Sequence, residues 1–335
     1  MNMNTSQVIA KRQSILLDLS NKCTLECPVC TRARFKEDNV PIPGHTMTHD
    51  EFEKITNYFH HIIFCGQLSD PVLHPHFINF LKILNTKKKQ CGIRTAVSHR
   101  PMHWYEKAFE ANKQTYWIFG LDGLPTESHK YRIKQDGEKL FDVMKLAVSK
   151  NINVLWQYII FKYNENHIEE ARKLAESAGI KFTTMKSSYW TGPEDPYKPT
   201  DPNNYISEDV ISYDIRTNKR SIDSFSPQCI NGTKDGQYTS ATSFGYSNQG
   251  YVLPCCMCEP SFAFAGRKRL NKKNLTLLQP LFNEKFNLSN VDKIEDIIYS
   301  EEWLNLFNTL LTDPENAPGV CKRFCGSGKT IKKTM

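Results

Sequence analysis

Between residues 14 and 187 the sequence alternates six short runs of β-forming residues with amphipathic helical stretches. This alternation is typical of βα units, in which parallel strands form a sheet and helices cover it. Under the right-handed crossover rule, six such units predict an α/β fold built as a partial (β/α)6 TIM-like barrel. The predicted strands span residues 14–19, 62–66, 92–97, 116–121, 153–161 and 181–185.

The stretches between these strands carry the apolar spacing of helices that pack on a sheet. Phe77, Phe80 and Leu84 recur at i, i+3 and i+7, which places them on one helix face. Thr48 and Glu51 form a capping-box pair that predicts the start of the first of these helices. The predicted helices span residues 50–60, 76–84, 103–111, 138–150 and 168–178.

The βα pattern stops after the sixth unit, and the composition changes with it. Residues 188–224 combine Pro with Asp, Asn, Tyr and Ser, as linkers and extended crossing segments do. The segment 225–330 carries six cysteines, a turn at 248–250 between two predicted hairpin strands, and a helix at 301–311. We therefore predict two domains, a barrel in residues 10–187 and a small Cys-rich α+β domain in 225–330, joined by the linker.

Eleven cysteines in a chain without an N-terminal secretory signal indicate metal binding or catalysis. The number is odd, and no stretch of the sequence approaches the about 20 consecutive apolar residues of a membrane span. In a reducing compartment, grouped thiols serve as metal ligands or nucleophiles rather than as disulfides. We expect a cytoplasmic protein without a membrane partner.

The net charge of +7, from 43 Lys and Arg against 36 Asp and Glu, is mild for 335 residues. Basic runs at 87–89, 267–273 and 329–333 lie far apart, whereas a nucleic-acid binder usually carries a continuous basic stripe. We interpret these runs as solvated surface and expect no nucleic-acid partner. The rival interpretation is a non-enzymatic, zinc-stabilised nucleic-acid adaptor that uses the 267–273 run.

The most specific motif is Cys23-Thr-Leu-Glu-Cys27-Pro-Val-Cys30, which begins four residues after the first predicted strand. Each of its three thiolates can take one iron of a cubane cluster, but the loop has no fourth cysteine. One iron is then left open for an outside ligand, as the metal of a catalytic zinc site keeps an open position. The location of the motif agrees with a catalytic role, because active sites of such barrels lie where the strands end. An incomplete zinc knuckle is the structural alternative.

A CxxxCxxC motif directly after the first strand of an α/β barrel resembles the radical S-adenosylmethionine (radical SAM) superfamily. The resemblance implies that Cys23, Cys27 and Cys30 hold a [4Fe-4S] cluster whose open iron is chelated by S-adenosylmethionine (SAM). It further implies reductive cleavage of SAM to methionine and a 5'-deoxyadenosyl radical, which abstracts a hydrogen from the substrate.

Further segments resemble SAM-binding parts of the superfamily, in the expected order. Residues 67–75 are similar to its Gly-Gly-Glu-Pro segment, with Asp70 where the family has Glu. Residues 118–123 resemble its Ser-Leu-Asp-Gly segment on the fourth strand, with Gly120 in place of Ser. Val29 stands where the family usually has an aromatic residue beside the adenine. The resemblance implies SAM contacts for Val29, Gln67, Ser69, Asp70, Asp122, Arg132 and Gln157.

The second group of cysteines lies in the predicted C-terminal domain. Cys321 and Cys325, with two further thiolates from a hairpin, can complete a four-thiolate site without an open position. The pattern resembles the SPASM or shorter twitch extension of radical SAM enzymes, which carries auxiliary iron-sulfur clusters. A structural zinc is the alternative, because four thiolates also suit zinc. We expect one auxiliary [4Fe-4S] cluster held by Cys229, Cys255, Cys321 and Cys325, in which Cys256 or Cys258 can replace one ligand.

The sequence thus predicts a radical SAM enzyme that acts on a peptide or a small molecule. We expect its electron to come from an external donor such as flavodoxin or ferredoxin. Relatives with such extensions modify ribosomal peptides or oxidise small alcohols and sugars, so the reaction class stays open between peptide modification and dehydrogenase-like oxidation.

Replacing Cys23, Cys27 or Cys30 by Ala should abolish SAM cleavage, because each thiolate would hold a separate iron of the cluster. Cys321→Ala should leave uncoupled SAM cleavage intact, since the second cysteine group has no open position for SAM. The measurement is the 5'-deoxyadenosine that the reduced protein forms from SAM, with Cys91→Ala, directly before the predicted strand 92–97, as the matched control. Deoxyadenosine at the wild-type level in any of the first three variants would contradict the motif's assignment.

Overall fold

The computed structural model describes residues 4–187, 194–205, 224–231, 242–259 and 277–327. The chain divides into two compact units. The terminal unit comprises Met1–Leu17, Pro43–His61 and Glu208–Met335. The central unit comprises Asp18–Ile42 and Ile62–Ser207.

Several sequence-based predictions concern residues outside these ranges. Of the linker predicted at 188–224, only 194–205 and 224 are described. The basic runs at 267–273 and 329–333 lie outside the described residues. The domain boundaries that the sequence places at 187 and 225 stay predictions.

The strands of the central unit form an open, parallel sheet. β2 to β6 follow the order β6-β5-β4-β3-β2, with β6 at an edge. The pairs β3-β4, β4-β5 and β5-β6 are parallel. The described strands are β1 (Ser14–Leu17), β2 (His61–Cys65), β3 (Gln90–Thr95), β4 (Tyr116–Gly120), β5 (Asn153–Ile160), β6 (Lys181–Lys186), β7 (Ser224–Phe225), β8 (Phe244–Tyr246), β9 (Val252–Leu253) and β10 (Gly326–Ser327).

Helices lie between successive strands, as βα units require. No helix in the described part of the chain is both long and apolar enough to cross a membrane. The described helices are α1 (Thr5–Ala10), α2 (Thr31–Glu37), α3 (His49–Tyr58), α4 (Phe77–Thr86), α5 (Met102–Ala111), α6 (Gly137–Ser149), α7 (Ile168–Ser177), α8 (Gln228–Asn231), α9 (Glu295–Ile298), α10 (Glu301–Thr312) and α11 (Gly319–Cys325).

The predicted α/β fold class is confirmed, with each of the six predicted strands present as β1 to β6 and the five predicted helices as α3 to α7. The sheet is open, as a partial barrel requires. The sequence analysis missed α1 and α2. The second of these begins directly at the end of the cysteine motif, where Cys30 is an N-cap without a side-chain hydrogen bond.

One face of the central sheet packs against helices. Trp117 of β4 lies 5.0 Å from Phe109 of α5 and 6.1 Å from Phe77 of α4, measured between ring centroids. Trp156 of β5 lies 5.6 Å from Phe141 of α6. Because side chains alternate along a strand, the residues next to each tryptophan on its own strand face away from the helices.

In the terminal unit, β1 pairs in parallel with β8, and β8 pairs antiparallel with β9. The predicted hairpin is confirmed, and its turn places Gly250 at φ +89°, a conformation that favours glycine. A Cβ at Gly250 would also lie 2.5 Å from Oδ1 of Asn287. The predicted helix at 301–311 is present as α10, which buries Trp303 and Phe307.

Glu51 is a buried carboxylate at the start of α3. Its Oε2 accepts hydrogen bonds from the N–H (2.7 Å) and the hydroxyl (2.9 Å) of Thr48, and the reciprocal bond completes the predicted capping box. Its Oε1 accepts from the Tyr246 hydroxyl at 2.9 Å and lies 2.8 Å from Nε2 of His45. Burial acts to raise the pKa of Glu51, but these contacts lower it from 4.5 to about 2. The contact with Glu51 raises the pKa of His45 above 6.5.

Glu51→Gln should lower the free energy of unfolding near neutral pH by about 1–3 kcal/mol, because a neutral amide replaces a charged acceptor. In the wild type this contribution is present above the unfolded pKa of 4.5 and is lost as the pH falls towards 2. His45 acts with the opposite sign, since its raised pKa gives stability that is present below pH 6.5 and lost as the pH rises through the folded value.

Chemical denaturation across the pH range measures both effects. Glu53→Gln, an exposed carboxylate on the same helix, is the matched control. Equal pH profiles for the two variants would contradict the role given to Glu51.

Candidate functional site

The loop after β1 carries the three cysteines of the motif in the central unit. All three thiols are half-buried, and the N–H of Cys30 donates to the carbonyl of Cys27 at 3.2 Å. Burial raises the pKa of Cys23 to about 12, and nearby Asp70 adds to the rise. Burial also raises the pKa of Cys27 to about 11, against the opposing effect of Arg132. A bound cation must therefore displace the protons of these two thiols.

Asp18 ties this loop to the loop after β2. Its carboxylate accepts from the N–H of Leu68 at 2.7 Å and from the hydroxyl of Ser69 at 2.5 Å. Arg32 of α2 donates to the carbonyls of Asn21 (2.7 Å) and Leu68 (2.6 Å). The sequence analysis missed both Asp18 and Arg32. A carboxylate directly after a buried strand was the available signal for Asp18.

Asp70 is buried in the loop after β2, and its carboxylate is surrounded by donors. Its Oδ2 accepts from the N–H groups of Ala96 (2.9 Å) and Val97 (3.3 Å). Its Oδ1 accepts from the Thr95 hydroxyl (2.7 Å) and the Val72 N–H (3.3 Å). Burial raises the pKa of Asp70, and these four bonds oppose that rise. Asp70 fastens the loop after β2 to the end of β3, and its contact with SAM stays a prediction.

Asp122 and Arg132 form a buried ion pair beside Cys27. The Oδ2 of Asp122 lies 2.7 Å from Nε of Arg132, and its Oδ1 accepts from the N–H of Ile159 at 2.9 Å. A Cβ at Gly120 would lie 2.8 Å from Nη2 of Arg132, so glycine leaves room for the guanidinium. Burial acts to lower the pKa of Arg132, but the charges of Asp122 and Cys27 outweigh burial, so the pKa of Arg132 lies above its usual value. Arg132 is therefore a permanent cation next to one thiol of the motif.

Gln135 joins the ends of β3 and β4. Its Nε2 donates to the carbonyls of Ala96 at 2.5 Å and Gly120 at 2.9 Å. The sequence analysis missed this residue, because a glutamine in a loop carries no pattern that marks it.

Gln157 lies on the face of β5 that turns away from the helices. It pairs with Gly120 in the sheet and is half-buried. Val29, Gln67 and Ser69 are also half-buried and lie in the loops after β1 and β2. The SAM contacts expected for these four residues stay predictions.

Cysteines that are distant in sequence meet in the terminal unit. The Sγ atoms of Cys255 and Cys258 lie 3.8 Å apart, and the thiol of Cys258 is also hydrogen-bonded to that of Cys321. Burial raises the pKa of Cys229 to about 12, and the charges of Cys255 and Cys325 add to the rise. These five residues are called the terminal cysteine group below.

The terminal cysteine group contains the four expected ligands together with Cys258. Cys256 instead lies against β8, where a Cβ at Gly245 would come within 3.2 Å of its Cα. No set of three or more His, Cys, Asp or Glu side chains among the described residues is spaced to hold one metal ion. In an iron-sulfur cubane each thiolate binds a different iron, so its ligands need not crowd around one point.

Comparisons with known proteins identify a family for part of the chain. Residues 17–175 match the family described as the radical SAM superfamily. No curated protein matches the chain in sequence.

Solved structures share the fold. Streptococcus suis SuiB bound to S-adenosylmethionine is similar with a TM-score of 0.54 and 12% identity, over 93% of this chain and 78% of SuiB. SuiB bound to its precursor peptide SuiA gives 0.53 and 12%, over 95% and 78%. The anSMEcpe structure with bound AdoMet and Cp18Cys peptide gives 0.54 and 13%, over 94% and 88%. At these identities the likeness establishes the fold.

Asp122→Asn should lower the free energy of unfolding by about 3–5 kcal/mol, because it leaves the buried Arg132 cation without its counter-charge. Glu169→Gln is the matched control, since Glu169 pairs with Arg172 at 3.4 Å on the surface. Its effect should stay below about 1 kcal/mol. Urea denaturation of the metal-free protein measures both, and equal losses would contradict the buried pair's role.

Proposed function

Because residues 17–175 form a domain of the radical SAM superfamily, the protein is a radical SAM enzyme, and we propose that it cleaves SAM reductively to abstract a hydrogen from a peptide. The observation that carries the proposal is the half-buried cysteine loop at the carboxyl ends of parallel strands, with the Asp122–Arg132 pair beside it. The superfamily implies a [4Fe-4S] cluster and SAM. When bound, they would supply the electron transfer that breaks a carbon–sulfur bond of SAM and yields a 5'-deoxyadenosyl radical.

The residues present fit such a cluster. Cys23, Cys27 and Cys30 supply three thiols from one loop, and that loop has no fourth cysteine. Three thiolates add three negative charges to a half-buried site, and the permanent cation of Arg132 offsets part of that charge next to Cys27. A bound cluster would deprotonate the thiols, so loading should become more favourable as the pH rises.

The other polar residues of the site either hold its loops in position or are proposed to bind SAM. Asp18 and Arg32 hold the cysteine loop against the loop after β2, and Asp122 holds Arg132 in place. In this proposal Asp70 acts through the position of its loop, because its carboxylate already accepts four hydrogen bonds. The proposed direct contacts to SAM are Val29, Gln67, Ser69 and Gln157, and those that the resemblance implies for Asp70, Asp122 and Arg132 stay predictions.

A peptide is the proposed substrate class. SuiB is solved with a precursor peptide and anSMEcpe with a Cp18Cys peptide, and both structures align with nearly the whole of this chain. The proposed substrate surface is the face of the central sheet opposite the helix-packed Trp117 and Trp156.

The terminal cysteine group is proposed to hold one auxiliary [4Fe-4S] cluster through four of its five thiols. All five thiols lie close enough together to shift one another's pKa, which supports the binding of one cluster by this group. A small flavodoxin-like or ferredoxin-like protein is the proposed electron donor.

The test is anaerobic purification and reconstitution, followed by iron, sulfide and zinc analysis and by the 5'-deoxyadenosine formed with SAM and dithionite. We expect about eight irons per chain, since each cubane holds four. About four irons with one zinc would remove the auxiliary cluster from the proposal and leave only the cluster held by Cys23, Cys27 and Cys30. Zinc without deoxyadenosine would overturn the proposed activity.

The substrate class is tested separately, with a peptide digest from deuterated cells. Deuterium in the deoxyadenosine shows that the hydrogen came from a peptide, as proposed. Deuterium transfer only from a deuterated mixture of sugars and alcohols would replace the peptide by a small molecule. Cys27→Ala is the control for both mixtures and should transfer no deuterium.

A further inference from the structure

Arg12 is a buried cation next to the terminal cysteine group. Its side chain is held at two nitrogens: Nε donates to the carbonyl of Thr242 at 3.2 Å, and Nη2 to that of Pro254 at 2.6 Å. Pro254 directly precedes Cys255, so this second bond anchors the guanidinium to the peptide that carries a cysteine of the group. The guanidinium also lies 3.9 Å from the ring centroid of Phe244.

The remaining nitrogen, Nη1, is buried without a hydrogen-bond partner. The residue is only 7% exposed, and no described carboxylate forms an ion pair with it. A buried charge without a counter-charge destabilises the fold, so a buried arginine such as Arg12 indicates an anion nearby. Burial lowers the pKa of Arg12, and the nearby Cys229, Cys255 and Cys258, together with Tyr58, act against that shift.

We propose that Arg12 is the counter-cation of the auxiliary cluster, and that Nη1 donates a hydrogen bond to a sulfur of that cluster and keeps its reduction potential high. The inference rests on the auxiliary cluster proposed above. Four thiolates around an iron-sulfur core leave a net negative charge that a single buried guanidinium offsets only in part. Arg12 thus acts directly on the electron-transfer properties of the cluster.

The sign of the effect follows from charge. One-electron reduction adds a negative charge to the cluster, and the electron comes from the external reductant, which is oxidised in turn. A cation and a hydrogen-bond donor stabilise the reduced form more than the oxidised form. Removing Arg12 should therefore lower the reduction potential of the auxiliary cluster.

The test measures this potential by a dithionite titration followed by electron paramagnetic resonance. The full chain carries Cys23→Ala, Cys27→Ala and Cys30→Ala, so that the terminal cysteine group gives the only cluster signal. Arg12→Gln should lower the equilibrium constant for reduction about tenfold, which is 59 mV for a one-electron couple. Arg12→Lys keeps the positive charge but loses the planar guanidinium with its several N–H donors. It should lower the equilibrium constant for reduction about threefold.

The matched control is Arg172→Gln, which removes an arginine stacked 5.2 Å from the ring of Phe182 in the central unit. It should leave the potential unchanged. Potentials equal to the parent's in both Arg12 variants would overturn the role of Arg12. If Arg12→Gln does not fold, Arg12→Lys decides alone, and an unchanged potential again overturns it.

Failure of the auxiliary cluster itself is visible earlier. A parent chain that lacks iron, or holds zinc instead, overturns the cluster and the role of Arg12 together, before any Arg12 variant is made. A parent with about four irons and unchanged variants overturns only the role of Arg12.

Discussion

Buried side chains join the successive loops at the carboxyl edge of the central sheet. Asp18 accepts from the loop after β2, and Asp70 accepts from the end of β3. Gln135 links the ends of β3 and β4, and Asp122 accepts from Ile159 at the end of β5. Each carboxylate is buried, so each must be satisfied by donors, and for each of them these donors include a backbone N–H of another strand or loop. The edge is therefore a set of interlocked loops.

This interlocking explains why a short cysteine loop can serve as a site. Three thiols on one flexible loop would not hold a common geometry, whereas a loop fixed through Asp18 and Arg32 does. The two cysteine sites also differ in how charge is arranged. In the central unit the cation Arg132 has its own carboxylate partner, Asp122. In the terminal unit Arg12 has carbonyls and aromatic rings around it.

Sequence periodicity predicted β1 to β6 and α3 to α7, because local apolar spacing determines which faces of these elements are buried. It did not predict α2, whose N-cap Cys30 lacks the side-chain bond that marks a helix start. The bonds of Asp18 and Asp70 also escaped prediction. Their partners lie in other loops, and spacing along the chain does not specify which loops meet. For the same reason the sequence left Cys256 and Cys258 equivalent, whereas the structure shows the thiol of Cys258 in contact with those of Cys255 and Cys321.

The pairing of β1 with β8 sets an order of events during synthesis. Ser14 and Ser243, 229 positions apart, share a hydroxyl hydrogen bond of 2.8 Å between these strands. The pairing with β8 therefore cannot form until nearly three quarters of the chain have been made. Contacts this distant in sequence form late, because a long loop must close before they stabilise anything. For most of translation the edge of β1 that pairs with β8 keeps its backbone groups unpaired, the kind of exposed strand edge that chaperones protect.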